Sequence, residues 1–286
     1  MLHLVTVATH SERYLPVLEK QAEKKDLKLV KLGMGKKYVG HFMKDLEMME
    51  YLKDLPKDDI VIFVDGFDTL MLGDVEEVKE KFEDSKADLL MSVENIGMLS
   101  FIHSTIFERV EGNYLNTGLY MGHAGFLFSF LQDMYSQRYD LKSNQKTWCS
   151  YLFKLQTEKR MEGIKLDEKS EVFLNHSFST SNTLKFDKKD QRIHIKDGSR
   201  PCFIQGNGCE DMTYIIDGTG HKNDNIHQAE FWKRKIAYNL QAIFKVYNPI
   251  LSFYIYLIII GIFIVSYLSY KYYKYRKQDY FILTSL

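Results

Sequence analysis

The chain has 286 residues, and its 38 basic and 38 acidic side chains leave a formal net charge of zero. That balance points away from nucleic acid as the main partner, and the length allows one large domain or two small ones with a sizeable core. Cys149, Cys202 and Cys209 are odd in number and unpatterned, which argues against a disulfide framework or a zinc site and for reduced, packed thiols.

Strand and helix signals alternate through residues 1–208, which predicts an α/β body whose parallel or mixed sheet carries helices on its faces. Leu2–Ala8 reads as the first strand; His3 interrupts it and no basic region precedes it, so it is not expected to be a signal peptide. Glu12–Lys24 is an amphipathic helix, and Leu27–Leu32 is a strand leading into the turn Gly33-Met34-Gly35. Phe42–Leu55 is helical. Ile60–Val64 is a continuous apolar run, the pattern of a strand buried on both faces. A helix over Val75–Phe82 starts at Asp74, and Ala87–Val93 is a further strand. Leu119–Gly122 reads as a short strand and Gly125–Tyr135 as a helix, with later strands near Arg192–Ile195 and Cys202–Gln205. No internal repeat is visible.

A polar connector over 209–247 leads to an apolar segment over 248–270 and a short basic tail over 271–286. Ile250–Leu268 contains no charge, and roughly 20 such residues span a bilayer as a helix. The expectation is a single-pass C-terminal anchor that takes the lipid bilayer as a partner through residues 250–268. Basic residues flank it on both sides, Lys233, Arg234, Lys235 and Lys245 before it and Lys271, Lys274, Arg276 and Lys277 after it, so charge alone does not orient it. A cytosol-facing domain is the first expectation and a lumenal one the alternative. The sequon Asn175-His176-Ser177 fits the second, although Asn175 also has a structural reading.

The chemistry is expected at the end of the strand Ile60–Val64. It runs into Asp65-Gly66-Phe67-Asp68, two carboxylates separated by a glycine and a ring. Ligands of open α/β sheets bind beyond the carboxyl ends of the strands. Two acids there can hold a divalent cation, and the cation a phosphate; the other reading is a solvated turn. A resemblance to the D-x-D-x-T turn of haloacid-dehalogenase phosphatases is superficial, because these acids stand three apart and misplace the nucleophile and its partner. Tyr114-Leu115-Asn116-Thr117-Gly118 reads as a small-residue turn that lets backbone and Asn116 approach a ligand, or as an ordinary loop. Gln205-Gly206-Asn207-Gly208 follows a strand signal and can cradle phosphate through backbone N–H groups.

In order and spacing these pieces resemble the glycosyltransferase domain of procollagen lysyl hydroxylases and related collagen glucosyl- and galactosyltransferases. The resemblance covers Leu4 to Gly208, including Leu32-Gly33-Met34-Gly35, the aspartate pair, Leu115-Asn116-Thr117-Gly118 and Leu166-Asp167. It implies a GT-A, Rossmann-like fold with a mixed, mainly parallel sheet, a UDP-sugar donor and Mn²⁺ or Mg²⁺. Carried over, it implies Asp65, Asp68 and Gln205 as metal ligands, with Gln205 where the family has histidine. It also implies Tyr38 and Phe67 as rings sandwiching uracil, and Lys44 with Gly206, Asn207 and Gly208 near the donor. Asn116, Asn144 and Gln145 would face the sugar or the acceptor, Asn144 standing where the family has a carboxylate. The implied function is transfer of a hexose to a hydroxyl of a protein or glycan acceptor, collagen-like hydroxylysine or its galactose. The alternative is a weakened or inactive member that binds nucleotide sugar or glycan.

Overall fold

The computed structural model describes residues 1–94, 107–137, 143–176, 184–207, 210–222, 254 and 257–271. In chain order the elements are β1 (Leu2–Val7), α1 (Leu15–Glu23), β2 (Leu29–Leu32), α2 (Met43–Leu52), β3 (Ile60–Val64), β4 (Thr69–Met71), α3 (Val75–Ser85), β5 (Leu89–Val93) and β6 (Leu115–His123). There follow α4 (Ala124–Ser136), α5 (Asn144–Thr157), β7 (Ile164–Asp167), β8 (Phe173–His176), β9 (Leu184–Asp187), β10 (Arg192–Ile195), β11 (Phe203–Gly206) and α6 (Thr213–Gly218). All lie in a compact unit spanning Met1–Tyr238, and a second unit spans Asn239–Leu286.

Six strands form the main sheet in the order β2-β1-β3-β6-β5-β7. β1 runs parallel to β2 and β3, and β5 parallel to β7, while β6 is antiparallel to both its neighbours. The alternation of side chains along β3 divides the core. Val61 and Phe63 pack on one face with residues of α2, α4 and α5. Ile62 and Val64 pack on the other with α1 and α3. Each such fully buried side chain contributes about 1.5–3 kcal/mol, which is why this run accepts no polar residue until the chain leaves the sheet. β4, β11 and β8 form a smaller sheet, β11 being antiparallel to β4 and parallel to β8, and β9–β10 is a hairpin.

Two expectations are corrected. Leu115–Gly118 is not a turn but the first half of β6. Its pairing with β5 jumps from Met91↔Tyr120 to Ser92↔Asn116, an irregularity that bends the strand there. The single-pass anchor through residues 250–268 is also not supported, nor is the bilayer as a partner or either membrane orientation. Among the described residues no helix is long and apolar enough to cross a membrane. Residues 257–271 are helical.

Candidate active site

β3 and β4 belong to different sheets, and the turn Asp65–Asp68 connects them. The β11–β4 pairing sets Gln205 opposite Thr69, beside that turn. The Asp65 N–H donates to the Gly118 carbonyl at 2.8 Å, and the Gly206 N–H donates to the Asp68 carbonyl at 2.7 Å, so the turn is pinned from β6 and from β11. Gly118 is required by this approach: a Cβ there would lie 2.5 Å from the Gln205 amide atoms and 2.8 Å from Asp65 Oδ2. Gln205 Nε2 donates to Asp65 Oδ2 and to Asp68 Oδ1, each at 3.2 Å. Lys44, on α2, donates its ammonium to Asp65 Oδ1. Burial alone would lower the Lys44 pKa, but the Asp65 carboxylate outweighs it and holds the ammonium charged. Asp68 is held well above the usual carboxylate range, first by burial and then by the neighbouring charge of Asp65.

A divalent cation fits this donor set. Gln205 Oε1 is buried and has no hydrogen-bond partner among the described residues, while its Nε2 faces the two acids. Turning the amide over would set three oxygens at one point, the ligand type that Mg²⁺ and Mn²⁺ prefer.

A second cluster lies at the end of β5. Glu94 Oε1 accepts from Asn116 Nδ2 at 2.9 Å and Glu94 Oε2 from Asn207 Nδ2 at 2.6 Å. Gln145 also hydrogen-bonds it, and Gln145 Nε2 donates to the Leu115 carbonyl at 2.8 Å. Burial pushes the Glu94 carboxyl up to about 7, against the pull of the three amides. The Asn116 Oδ1 accepts from the Gly118 N–H at 2.6 Å, which joins this cluster to the aspartate site. Sequence reasoning named Asn116, Gln145 and Asn207 but missed Glu94. The signal was present, because Glu94 follows the buried strand β5 as Asp65 follows β3.

Among the remaining expected residues, Phe67 is partly buried, with its ring 5.2 Å from that of His10. Tyr38 is 52% exposed and sets its ring edge-on to His41 at 5.9 Å. The Gly206 N–H is spent on Asp68, and the Asn207 N–H on the His176 carbonyl at 3.0 Å, so this segment offers a side chain rather than backbone donors. Gly208 and Cys209 lie outside the described residues. Asn144 is buried and hydrogen-bonds Asp45, whose carboxylate also accepts from Tyr135 Oη at 2.8 Å and Trp148 Nε1 at 3.1 Å. Burial raises Asp45 to about 6.

Other polar groups have structural work. Asp167 caps the entry to β8, accepting from the N–H groups of Glu171, Val172 and Phe173 at 2.7–2.9 Å. Asn175 is buried and donates to Ser92 Oγ at 2.5 Å and the Val93 carbonyl at 2.6 Å, the structural reading of the sequon. Cys149 and Cys202 are free and buried. Asp187, Asp190 and His194 bring ligand atoms within 4.8 Å of one another. Both carboxylates also accept backbone N–H groups of their own hairpin, from Lys189 and Arg192. A cavity of about 700 Å³ opens elsewhere, lined by Lys24, Lys25, Asp74, Arg192, Arg200 and His221, and none of the expected site residues borders it.

The family model for the PLOD GT domain matches residues 1–216. The chain belongs to that family. Procollagen-lysine,2-oxoglutarate 5-dioxygenase of Drosophila melanogaster is 25% identical over 224 residues, which cover 72% of this chain and 30% of that protein. The multifunctional procollagen lysine hydroxylase and glycosyltransferase LH3 of Homo sapiens is 27% identical over 222 residues, with the same coverage of 72% and 30%. The chain therefore spans about 30% of the length of these relatives. Two solved structures are similar in outline. A glycosyltransferase involved in glycosylation of the major capsid of PBCV-1 aligns at TM-score 0.47 and 12% identity, covering 84% of this chain and 98% of that one. The galactosyltransferase LgtC, solved with donor and acceptor sugar analogues, aligns at 0.44 and 11%, covering 83% and 96%. Likenesses at that level assign no function. The mixed α/β, GT-A-like sheet with helices on both faces agrees with the family membership.

Proposed function

We propose that the chain is a metal-dependent glycosyltransferase that moves a hexose from a UDP-sugar to a hydroxyl acceptor. The observation that carries this is the convergence of Asp65, Asp68 and the orphaned Gln205 oxygen beside the Glu94 cluster. Asp65, Asp68 and Gln205 would hold Mn²⁺ or Mg²⁺, which supplies neutralisation of charge on the departing diphosphate. Phe67 and Tyr38 offer ring faces for the uracil, and Lys44 adds a fixed positive charge beside Asp65. Glu94 is a carboxylate surrounded by neutral amides, suited to face positive charge developing at the sugar carbon. Gln145 and Asn116 orient that carboxylate. Preorganised dipoles of this kind supply most of the rate in such sites. The acceptor class suggested by the family is a collagen-like hydroxylysine or its galactose.

The test is UDP release by the full chain with Mn²⁺ and UDP-glucose or UDP-galactose. Asp65→Ala and Asp68→Ala should each weaken Mn²⁺-dependent UDP binding by about 100-fold or more, because loss of an outer-shell partner alone costs about 10–100-fold. Unchanged binding in both variants would remove the metal site. A second reading, a non-catalytic binder of nucleotide sugar or glycan, is favoured by Asn144, an amide held in the Asp45 network rather than a carboxylate. UDP binding without release of UDP from either donor would select it.

A further inference from the structure

Arg13 holds a backbone conformation that an arginine avoids. Its φ is 55°, in the left-handed region where an L side chain crowds the following carbonyl and glycine is the usual occupant. The residue lies between β1 and α1. The next N–H, that of Tyr14, donates to the Phe67 carbonyl at 3.4 Å, so this segment is stitched to the turn that carries both aspartates. The guanidinium lies 5.8 Å from the Tyr14 ring centroid, and its charge reaches Asp68. Its Nη2 is nevertheless buried without a hydrogen-bond partner among the described residues.

A strained backbone and an unspent buried N–H therefore occur in one side chain, at the edge of the candidate site. Each costs stability, and a glycine would relieve both. Such a cost persists where a ligand supplies what the protein leaves out. The missing partner is a hydrogen-bond acceptor, because Nη2 can only donate, and an anion suits the charge of the guanidinium best. Asp65 already has the Lys44 ammonium, and two carboxylates repel any phosphate brought beside them unless further positive charge is present.

We propose that Arg13 receives the diphosphate of the nucleotide-sugar donor, its Nη2 donating to a phosphate oxygen. A guanidinium matches that oxyanion in charge and geometry. The assignment rests on the donor-site reading above and adds to it a residue that the sequence did not single out.

The experiment is calorimetric binding of UDP and of uridine to the full chain with saturating Mn²⁺, for wild type, Arg13→Gly and Arg13→Gln. Arg13→Gly should melt at or above the wild-type temperature. Both variants should bind uridine within about twofold of wild type but UDP about 10- to 100-fold more weakly, the range of one charge-assisted contact. Unchanged UDP affinity overturns the proposal. So does an equal loss of uridine affinity, which would make Arg13 a support for the Phe67 turn. Should Arg13→Gly not fold, Arg13→Gln decides, since it keeps a polar side chain at this position and removes the guanidinium. A wild-type chain that binds neither ligand overturns the donor-site reading itself, and this assignment with it.

Discussion

Glu77 and Glu94 are the same residue type, both partly buried, and are held in opposite ways. Glu77, on α3, faces cations: Arg192 donates to both its oxygens, and Lys81 lies at 2.9 Å. Burial would raise its pKa, but Arg192 and Lys81 outweigh that and hold it down at about 2. Glu94, at the end of β5, faces the amides of Asn116, Gln145 and Asn207, and among the described residues it forms no ion pair. Burial prevails there, and the carboxyl rises to about 7. The first arrangement is complete as it stands and clamps α3 to β10. The second is a buried charge without a counter-charge, the condition expected where a transition state supplies one.

The comparison breaks most readily at Glu94. Glu94→Gln should lower the turnover of UDP-sugar about 100-fold while leaving UDP affinity unchanged, measured by UDP release and calorimetry. Turnover within threefold or so of wild type would make Glu94 as structural as Glu77. The largest stability effect belongs to the other region. Arg192→Ala removes two charge-assisted bonds from Glu77, which keeps Lys81, and takes the donor at 3.1 Å from the Pro201 carbonyl. It should cost about 1.5–3 kcal/mol in denaturant unfolding, with UDP affinity preserved in the folded fraction.

Gly118→Ala tests the geometry between these extremes. The added Cβ would press on the ends of two side chains, Gln205 and Asp65, rather than on backbone, so the fold should survive while Mn²⁺ affinity drops about tenfold. An unchanged affinity would remove Gln205 from the ligand set.

The smallest effects are in pH dependence, where the two glutamates should differ in sign. Glu77 has a depressed folded pKa, so its contribution is present above about 4.5, the unperturbed value, and is lost as pH falls toward about 2. Glu94 has a raised folded pKa, so it destabilises the fold as pH rises from about 4.5 to about 7. Glu94→Gln should therefore raise the melting temperature by a few degrees at pH 8 and not at pH 4. Glu77→Gln should lower it at pH 7 and have little effect near pH 2. A matching sign in the two variants would contradict the assignment of one as clamp and the other as poised charge.

Much of the fold was legible because the signals were local. The run Ile60–Val64 reads as a doubly buried strand, and that reading puts the acids after it at the sheet edge. The same rule applied to Leu89–Val93 would have found Glu94, but a single acid after a strand carries no spacing to notice. β4 and β7–β9, of three or four residues each, were not read as strands. Leu115–Gly118 was misread because its small residues suit a turn, whereas tertiary pairing with β5 makes it an irregular strand. The C-terminal run shows the limit of composition: among the described residues no helix is long and apolar enough to cross a membrane.

By itself the sequence determined the alternation of strand and helix, the buried faces of β3 and the placing of Asp65 and Asp68 at its end. These follow from side-chain periodicity and the cost of burying charge, which act over a few residues. The tertiary structure decided which groups meet there. Lys44, Gly118, Gln205, Glu94 and Arg13 come from five separate segments. Their convergence depends on strand order and register, which only packing of the whole sheet can set, because electrostatic and hydrogen-bond terms act across space rather than along the chain.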